Sequence, residues 1–275
     1  MCIPQGRWLE ENHYKDAVLI DESVINMKRK CMEYHRVGLS ACVCPGQGAG
    51  MMGDAVLVDV GKRFYAVADS PDRSPSSAIT LLTMIARSLE NQNVTDDGED
   101  MTAVLNRSRV LVEKTFELIE PGNVCTFTGI QLTGSGHQTG CVFMHTGDSM
   151  MYHFNRGEGR VQNITVKNFW LAGRVKQLYQ CGSIMLEPGD LLMLVTDGFE
   201  EIYSSAEARS YIETAFCRER DVKRIMQNIL QRDNNGIELW DDIGIVLLDP
   251  FIPRDTGFVI LGEGNDNINV IRGDN

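Results

Sequence analysis

The hydrophobic pattern changes period several times along the chain. Residues 55–69, AVLVDVGKRFYAVAD, are two apolar, β-branched runs around Gly61-Lys62 and predict a β-hairpin. Ala78, Leu81, Leu82, Ile85 and Leu89 then recur at spacings of three and four, the stripe of an amphipathic helix. Ser74 as N-cap and Pro75 at the first helical position mark where that helix begins. Beyond the polar break NVTDDGED, Val104, Leu105, Val112 and Ile119 predict a second helix, which Pro121-Gly122 stops. Strand-like text then returns. VCTFTGIQLT, TGCVFMHTG and SMMYHF read as successive strands, divided by the turn GSGHQTG, and RVQNITV and GSIMLEPGDLLMLVTDG continue the sheet. Two further amphipathic helices fall between Ala206 and Arg232, the first through Ala208, Tyr211, Ile212 and Ala215, the second through Val222, Ile225, Met226 and Ile229. IGIVLLD is a last strand before Pro250, and residues 251–275, rich in Gly, Asn and Asp, read as an extra hairpin or a frayed end.

Strands, two helices, strands, two helices and a strand describe layers rather than βαβ alternation. The strand runs are almost continuously apolar, so both faces of each sheet need cover. The expected fold is α+β: a four-layer αββα sandwich of two antiparallel β-sheets packed face to face, each flanked by a helix pair. With no repeat and no low-complexity linker, residues 1–275 read as a single domain. Its core spans about 33–250, with an N-terminal extension 1–32, too short for a sensor domain, and a C-terminal extension 251–275.

Composition narrows the function classes. An apolar share of 43% supports a full core, while 38 acidic against 26 basic residues give a net charge of −12. That charge repels phosphate backbones and anionic lipid, so neither nucleic acid nor membrane is an expected partner. No stretch reaches the roughly 18 apolar residues of a membrane span, and Arg7, Glu10, Glu11 and Lys15 break up any secretory signal near the start. The eight cysteines show no CxxC frame, and most sit in apolar runs as small hydrophobes; Cys42 and Cys44 read as strand alternation. A cytoplasmic location is expected.

Candidate chemistry lies in the aspartates. Asp54 opens the first strand of the hairpin, Asp69 ends the second, Asp197 ends LLMLVTD and Asp241 opens the last strand. A carboxylate at the mouth of an apolar strand has a raised pKa unless a cation or donors compensate. Any one of these reads first as a cap or turn residue, but four at strand ends in one domain form a pattern. Oxygen ligands suit Mg²⁺ or Mn²⁺ rather than Zn²⁺. The five histidines lack ligand spacing, and His145 and His153 read as strand-face residues; Asp59, Asp96, Asp97 and Asp100 read as solvated turn residues. GQGAGMMG lacks the lysine of a nucleotide loop, and no kinase text accompanies Asp197-Gly198-Phe199.

At these residues a family resemblance enters. EPGDLLMLVTDGFEEI, HTGDSMMYHF, DDIGIVLLD and GDAVLVDVGKRFYAVADS resemble the motif strands of the metal-dependent protein phosphatases of the 2C type, and their order and spacing along the chain agree with that family across roughly residues 50–250. The likeness is nearest to the bacterial subgroup typified by SpoIIE and the stress-response phosphatases. The resemblance implies two Mn²⁺ or Mg²⁺ ions, with Asp69 bridging both. The backbone carbonyl of Ser70 and the carboxylate of Asp54 would serve one, and Asp197 and Asp241 the other. Asp148 would orient the attacking water or hold a third, weak ion. The implied reaction is hydrolysis of phosphoserine or phosphothreonine in a protein, in the bacterial subgroup often a regulatory protein, with no covalent enzyme intermediate.

Departures from the family pattern are visible too. Where the family follows its bridging aspartate with a glycine-rich turn, this chain has Asp69-Ser70-Pro71-Asp72-Arg73-Ser74. Arg73 is the candidate contact for the substrate phosphate, since no arginine precedes Asp54 in CPGQGAGMMGD; its plainer reading is a solvated charge at the helix start. The altered loop also leaves room for a different class, a catalytically weak or inactive phosphatase-like regulatory or binding module. A phosphatase with an aspartyl nucleophile would want DxD on the first strand, which GDAVLVDV does not offer.

Overall fold

In the computed structural model, the described residues are 18–19, 31–47, 51–71, 75–91, 100–120, 122–134, 139–231, 240–251, 257–264, 267–268 and 271–272. The strands in chain order are β1 (Val18–Leu19), β2 (Met32–Arg36), β3 (Leu39–Cys44), β4 (Ala55–Asp59) and β5 (Phe64–Ala68). Helices α1 (Pro75–Glu90) and α2 (Met101–Leu118) follow, then β6 (Phe127–Thr133), β7 (Gly140–Thr146), β8 (Met150–Asn155), β9 (Arg160–Asn163), β10 (Gln180–Met185) and β11 (Leu191–Val195). The chain continues through α3 (Phe199–Tyr203), α4 (Ala206–Arg218), α5 (Val222–Gln231), β12 (Ile243–Leu248), β13 (Phe258–Gly264), β14 (Asn267–Ile268) and β15 (Ile271–Arg272).

All ladders between named strands are antiparallel. One sheet runs β1-β2-β3-β12-β11-β8-β9 and the other β10-β7-β6-β5-β4-β13-β14, with β15 also on β13. Period-two alternation explains how apolar strands stack into layers. On β5, Tyr65 and Val67 point between the sheets while Phe64, Ala66 and Ala68 meet α1 and α2. On β11, Leu192 and Leu194 point between the sheets, and Leu191, Met193 and Val195 meet the residues of α3, α4 and α5. The αββα sandwich is therefore the observed architecture, with one apolar layer between the sheets and one under each helix group.

The helix stripe Ala78, Leu81, Leu82, Ile85 and Leu89 is fully buried, whereas Ser74, Arg73, Pro121, Asp96 and Asp97 lie outside the described residues. Several readings need correction. Asp59 is not a solvated turn residue: it ends β4, is buried, and its Oδ1 accepts the Lys62 amide at 2.8 Å. Tyr211 is exposed and leaves the apolar face of α4 to Ile212 and Phe216. Cys31 and Cys44 are not separate thiols but a disulfide, while Cys42, two residues away on the same face of β3, stays free and buried. The C-terminal residues also do more than fray, because β13 pairs with β4 and carries Val259, Ile260 and Leu261 into the core layers.

Candidate metal centre

Strand register gathers the aspartates at one end of the sandwich. In the β4–β5 hairpin Ala55 faces Ala68, so the next pair outward is Asp54 and Asp69. The turn from β7 to β8 supplies Asp148, β11 runs out at Asp197, and β12 is preceded by Asp241 and Asp242. Each acid lies just past the last ladder pair, where the apolar layers end and the chain reverses.

Asp69, Asp148 and Asp197, all half-buried, each present a carboxylate oxygen, and these oxygens lie within 4.8 Å of one another. Three acidic oxygens so close repel unless protons or a cation intervene. Asp69 shows the strain: burial, then the charges of Asp197, Asp241 and Asp148, push its pKa up to about 7. Asp197 is raised to about 6 by burial and by Asp148 and Asp241, with Lys167 acting in the opposite direction. Asp54 lies deeper, 2% exposed, and burial followed by the Asp69 charge raises its pKa well above the ordinary carboxylate range. The donor set is all oxygen and clustered, which fits a hard divalent cation.

The scaffold around these acids is tightly specified. Thr196 donates its hydroxyl to Asp54 Oδ2 at 2.6 Å and accepts the Gly244 amide at 2.8 Å. The Asp69 amide donates to Thr126 Oγ1 at 3.0 Å, and the Thr126 amide returns a bond to the Asp69 carbonyl at 2.8 Å. Thr126 Oγ1 also meets Ser149 Oγ at 2.5 Å, which ties the bridge to the turn carrying Asp148. That turn needs Gly147, whose φ is +100° and whose amide donates to Asn168 Oδ1 at 3.0 Å. Gly198 is required for a different reason, close approach: a Cβ there would stand 2.1 Å from the Asp242 carbonyl oxygen.

Every sequence-derived aspartate thus arrives at one end, and Asp148 sits within the tightest trio. Asp241 is half-buried at the edge and acts electrostatically on both Asp69 and Asp197. Ser70 is buried, and its hydroxyl accepts the Ala78 amide at 2.8 Å in the first turn of α1, so any ligand role falls to its backbone carbonyl. Arg73 lies outside the described residues. Sequence reasoning missed Asp242, which is buried with Oδ1 accepting the Gly46 amide at 2.7 Å and Oδ2 the Gly53 amide at 2.8 Å. The doubled acid in WDDIGIV was its signal, since adjacent residues at a strand start point opposite ways and cannot share a task. Thr196, Thr126 and Asn168 carried no comparable signal, because each acts through partners distant in sequence.

Solved structures share this fold at low identity. A serine/threonine phosphatase of S. agalactiae matches with TM-score 0.61 and 17% identity, over 76% of this chain and 97% of that one. RsbX in complex with magnesium matches with TM-score 0.55 and 16% identity, over 79% and 98%. The catalytic domain of the serine/threonine protein phosphatase PstP, in complex with two manganese ions, matches with TM-score 0.54 and 18% identity, over 77% and 96%. No curated protein sequence matches this chain. The family model for stage II sporulation protein E matches residues 61–250, a stretch that runs from the β4–β5 turn past β12 and includes Asp69, Asp148, Asp197 and Asp241. With well over half its length matched, and with the sandwich and the acidic end described above, the chain belongs to the SpoIIE family.

Proposed function

We propose that this protein is a Mn²⁺- or Mg²⁺-dependent phosphomonoester hydrolase acting on phosphoserine or phosphothreonine in a protein, with a regulatory phosphoprotein as its natural partner. The observation that carries the reading is the trio Asp69, Asp148 and Asp197, whose oxygens converge within 4.8 Å while Asp241 raises the local negative potential. Asp69, central to the group, would bridge two ions. Asp54 and the Ser70 carbonyl would complete one ligand set, Asp197 and Asp241 the other, and Asp148 would orient water or hold a third ion. When bound, two divalent cations supply a water acidic enough to attack near neutral pH and offset the charge of the phosphoryl group.

The protein's own contribution is positional. Thr196 and Thr126 lock the Asp54 carboxyl and the Asp69 backbone, so the oxygens are arranged before any ion arrives. Gly198 and Gly147 let the Asp197 and Asp148 turns come close to their neighbours. No side chain is needed as a covalent nucleophile.

The test is hydrolysis of an aryl phosphate and of phosphoserine peptides after chelation, then with Mn²⁺ or Mg²⁺ restored, beside Asp69→Asn. Expected is metal-dependent turnover in the wild type that falls at least a hundredfold in the variant, with cooperative unfolding retained. Turnover that survives both chelation and Asp69→Asn would remove the two-ion assignment. Metal binding without turnover on any phosphopeptide would instead identify a phosphatase-like binding module.

A further inference from the structure

The site is rich in acids, and because a phosphomonoester is itself an anion, a cation from the protein side would favour its binding beside the metals. Lys167 occupies a place suited to that role. It stands in the connection between β9 and β10, directly before Asn168, and Asn168 is fastened to the turn of Asp148 by two bonds. The Gly147 amide donates to Asn168 Oδ1 at 3.0 Å, and the Asn168 amide donates to the Gly147 carbonyl at 2.9 Å. On its other side the Lys167 ammonium pairs with Glu200. Glu200 belongs to the first turn of α3, and its amide donates to the Asp197 carbonyl at 2.8 Å. Lys167 therefore spans the gap between the Asp148 turn and the Asp197 turn, two of the three converging acids. Its field reaches the Asp197 carboxyl. The Lys167 side chain remains open to solvent, 41% exposed, on a path an incoming anion can take.

We propose that Lys167 is the residue that binds the substrate phosphoryl group at this site, its ammonium held at the rim between Asp148 and Asp197 by the Glu200 carboxylate. The inference rests on the phosphatase reading and adds to it the group that recognises the phosphate. Glu200 is the holder: it aims the ammonium while no phosphate is present, and the anion competes with it on binding. A compact, strongly hydrated point charge with three donors suits phosphoryl oxygens without demanding bidentate geometry. The pattern also accounts for the sequence around it: residues 164–179, ITVKNFWLAGRVKQLY, carry Lys167, Arg174 and Lys176 and no acid, in a chain of net charge −12.

The experiment is calorimetric binding of inorganic phosphate to the full chain loaded with Mn²⁺, for the wild type, Lys167→Gln, Lys167→Arg and Glu200→Gln. Lys167→Gln should weaken phosphate binding about ten- to a hundredfold, the range carried by one charge-assisted hydrogen bond. Lys167→Arg should restore most of it, and Glu200→Gln, which breaks the same ion pair but leaves the ammonium, should bind phosphate as tightly as the wild type or more so. Mn²⁺ affinity should not fall in Lys167→Gln, because a cation beside the ligands opposes metal binding. Equal weakening in Lys167→Gln and Glu200→Gln would reduce the pair to a strap and overturn the proposal, as would unchanged phosphate affinity in Lys167→Gln. A wild type that binds no phosphate would overturn it too. Phosphate binding that follows this pattern in a protein with no turnover would leave Lys167 in place and remove the hydrolase reading instead. Where turnover is present, KM should rise in Lys167→Gln by the factor lost in phosphate binding, with the smaller change in kcat.

Discussion

Asp242 offers a direct way to ask whether the acidic end is built as described. Its carboxylate accepts the Gly46 amide at 2.7 Å and the Gly53 amide at 2.8 Å, and the side chain is 1% exposed. It thereby clamps the chain entering β4 against the start of β12, next to Asp54 on one side and Asp241 on the other. Asp242→Ala leaves two amide donors without their acceptor. At about 1–3 kcal/mol for each buried, unsatisfied group, the cost lies at about 2–6 kcal/mol. One effect works the other way: the charge of Asp242 helps raise the Asp54 pKa, so its removal relieves repulsion and moves the net cost toward the lower half of that range. Asp242→Asn keeps the shape, but its single carbonyl oxygen can serve only one amide while its NH₂ faces the other, so it should cost about 1–3 kcal/mol. Guanidinium unfolding of the metal-free protein at neutral pH reads both numbers, and Mn²⁺ calorimetry reads the effect on the ligands. An alanine variant within about 0.5 kcal/mol of the wild type, the scatter of ordinary surface changes, would refute the clamp. So would an asparagine variant that costs as much as alanine.

Other expectations follow from the same geometry. Gly198→Ala forces a Cβ to within 2.1 Å of the Asp242 carbonyl oxygen; since backbone cannot yield as a side chain can, we expect a loss of about 1–3 kcal/mol in denaturant unfolding, and Mn²⁺ affinity undiminished in this variant would show that the Asp197 turn tolerates displacement. Mn²⁺ affinity should fall as pH drops through about 7 and about 6, because Asp69 and Asp197 must then lose protons to bind. The stability of the metal-free protein should move in the opposite direction. Both carboxyls have folded pKa values above their unfolded ones, so their contribution is fully present below about pH 4 and is lost as pH rises toward 7. Comparing stability against pH for the wild type and Asp69→Asn isolates the Asp69 part of that loss; superimposable profiles would contradict the raised pKa.

How much of this was legible in the sequence follows from what each feature depends on. The β4–β5 hairpin, the α1 stripe and the run of β11 could be read directly, because period and turn chemistry are local properties of consecutive residues. The acids at strand mouths could be read for the same reason: Asp54, Asp69, Asp197 and Asp241 each stand beside an apolar run that defines where a strand stops. Their resemblance to the motif strands of a phosphatase family then brought Asp148 into the set. β2 and β3 were harder to see, since MEYHR buries polar groups. Glu33, His35 and Ser40 are interior there, satisfied by one another through His35–Glu33 at 2.6 Å and His35–Ser40 at 2.5 Å. Charged text that pairs along one strand, with a single partner across the hairpin, looks solvent-facing until the sheet forms.

The sequence by itself determined the layer order, the kind of chemistry the acids favour, and which strand ends carry them. Only the tertiary structure decided that Asp69, Asp148 and Asp197 converge, that Asp242 clamps the Gly46 and Gly53 amides, that Cys31 meets Cys44, and that β13 pairs with β4 in the second sheet. The division has a physical cause. Hydrophobic period and turn preference act over a few residues and leave their record in the text. A carboxylate's neighbours, its pKa and its hydrogen-bond partners are set by groups tens to hundreds of residues away, and these meet only when apolar burial brings the two sheets face to face.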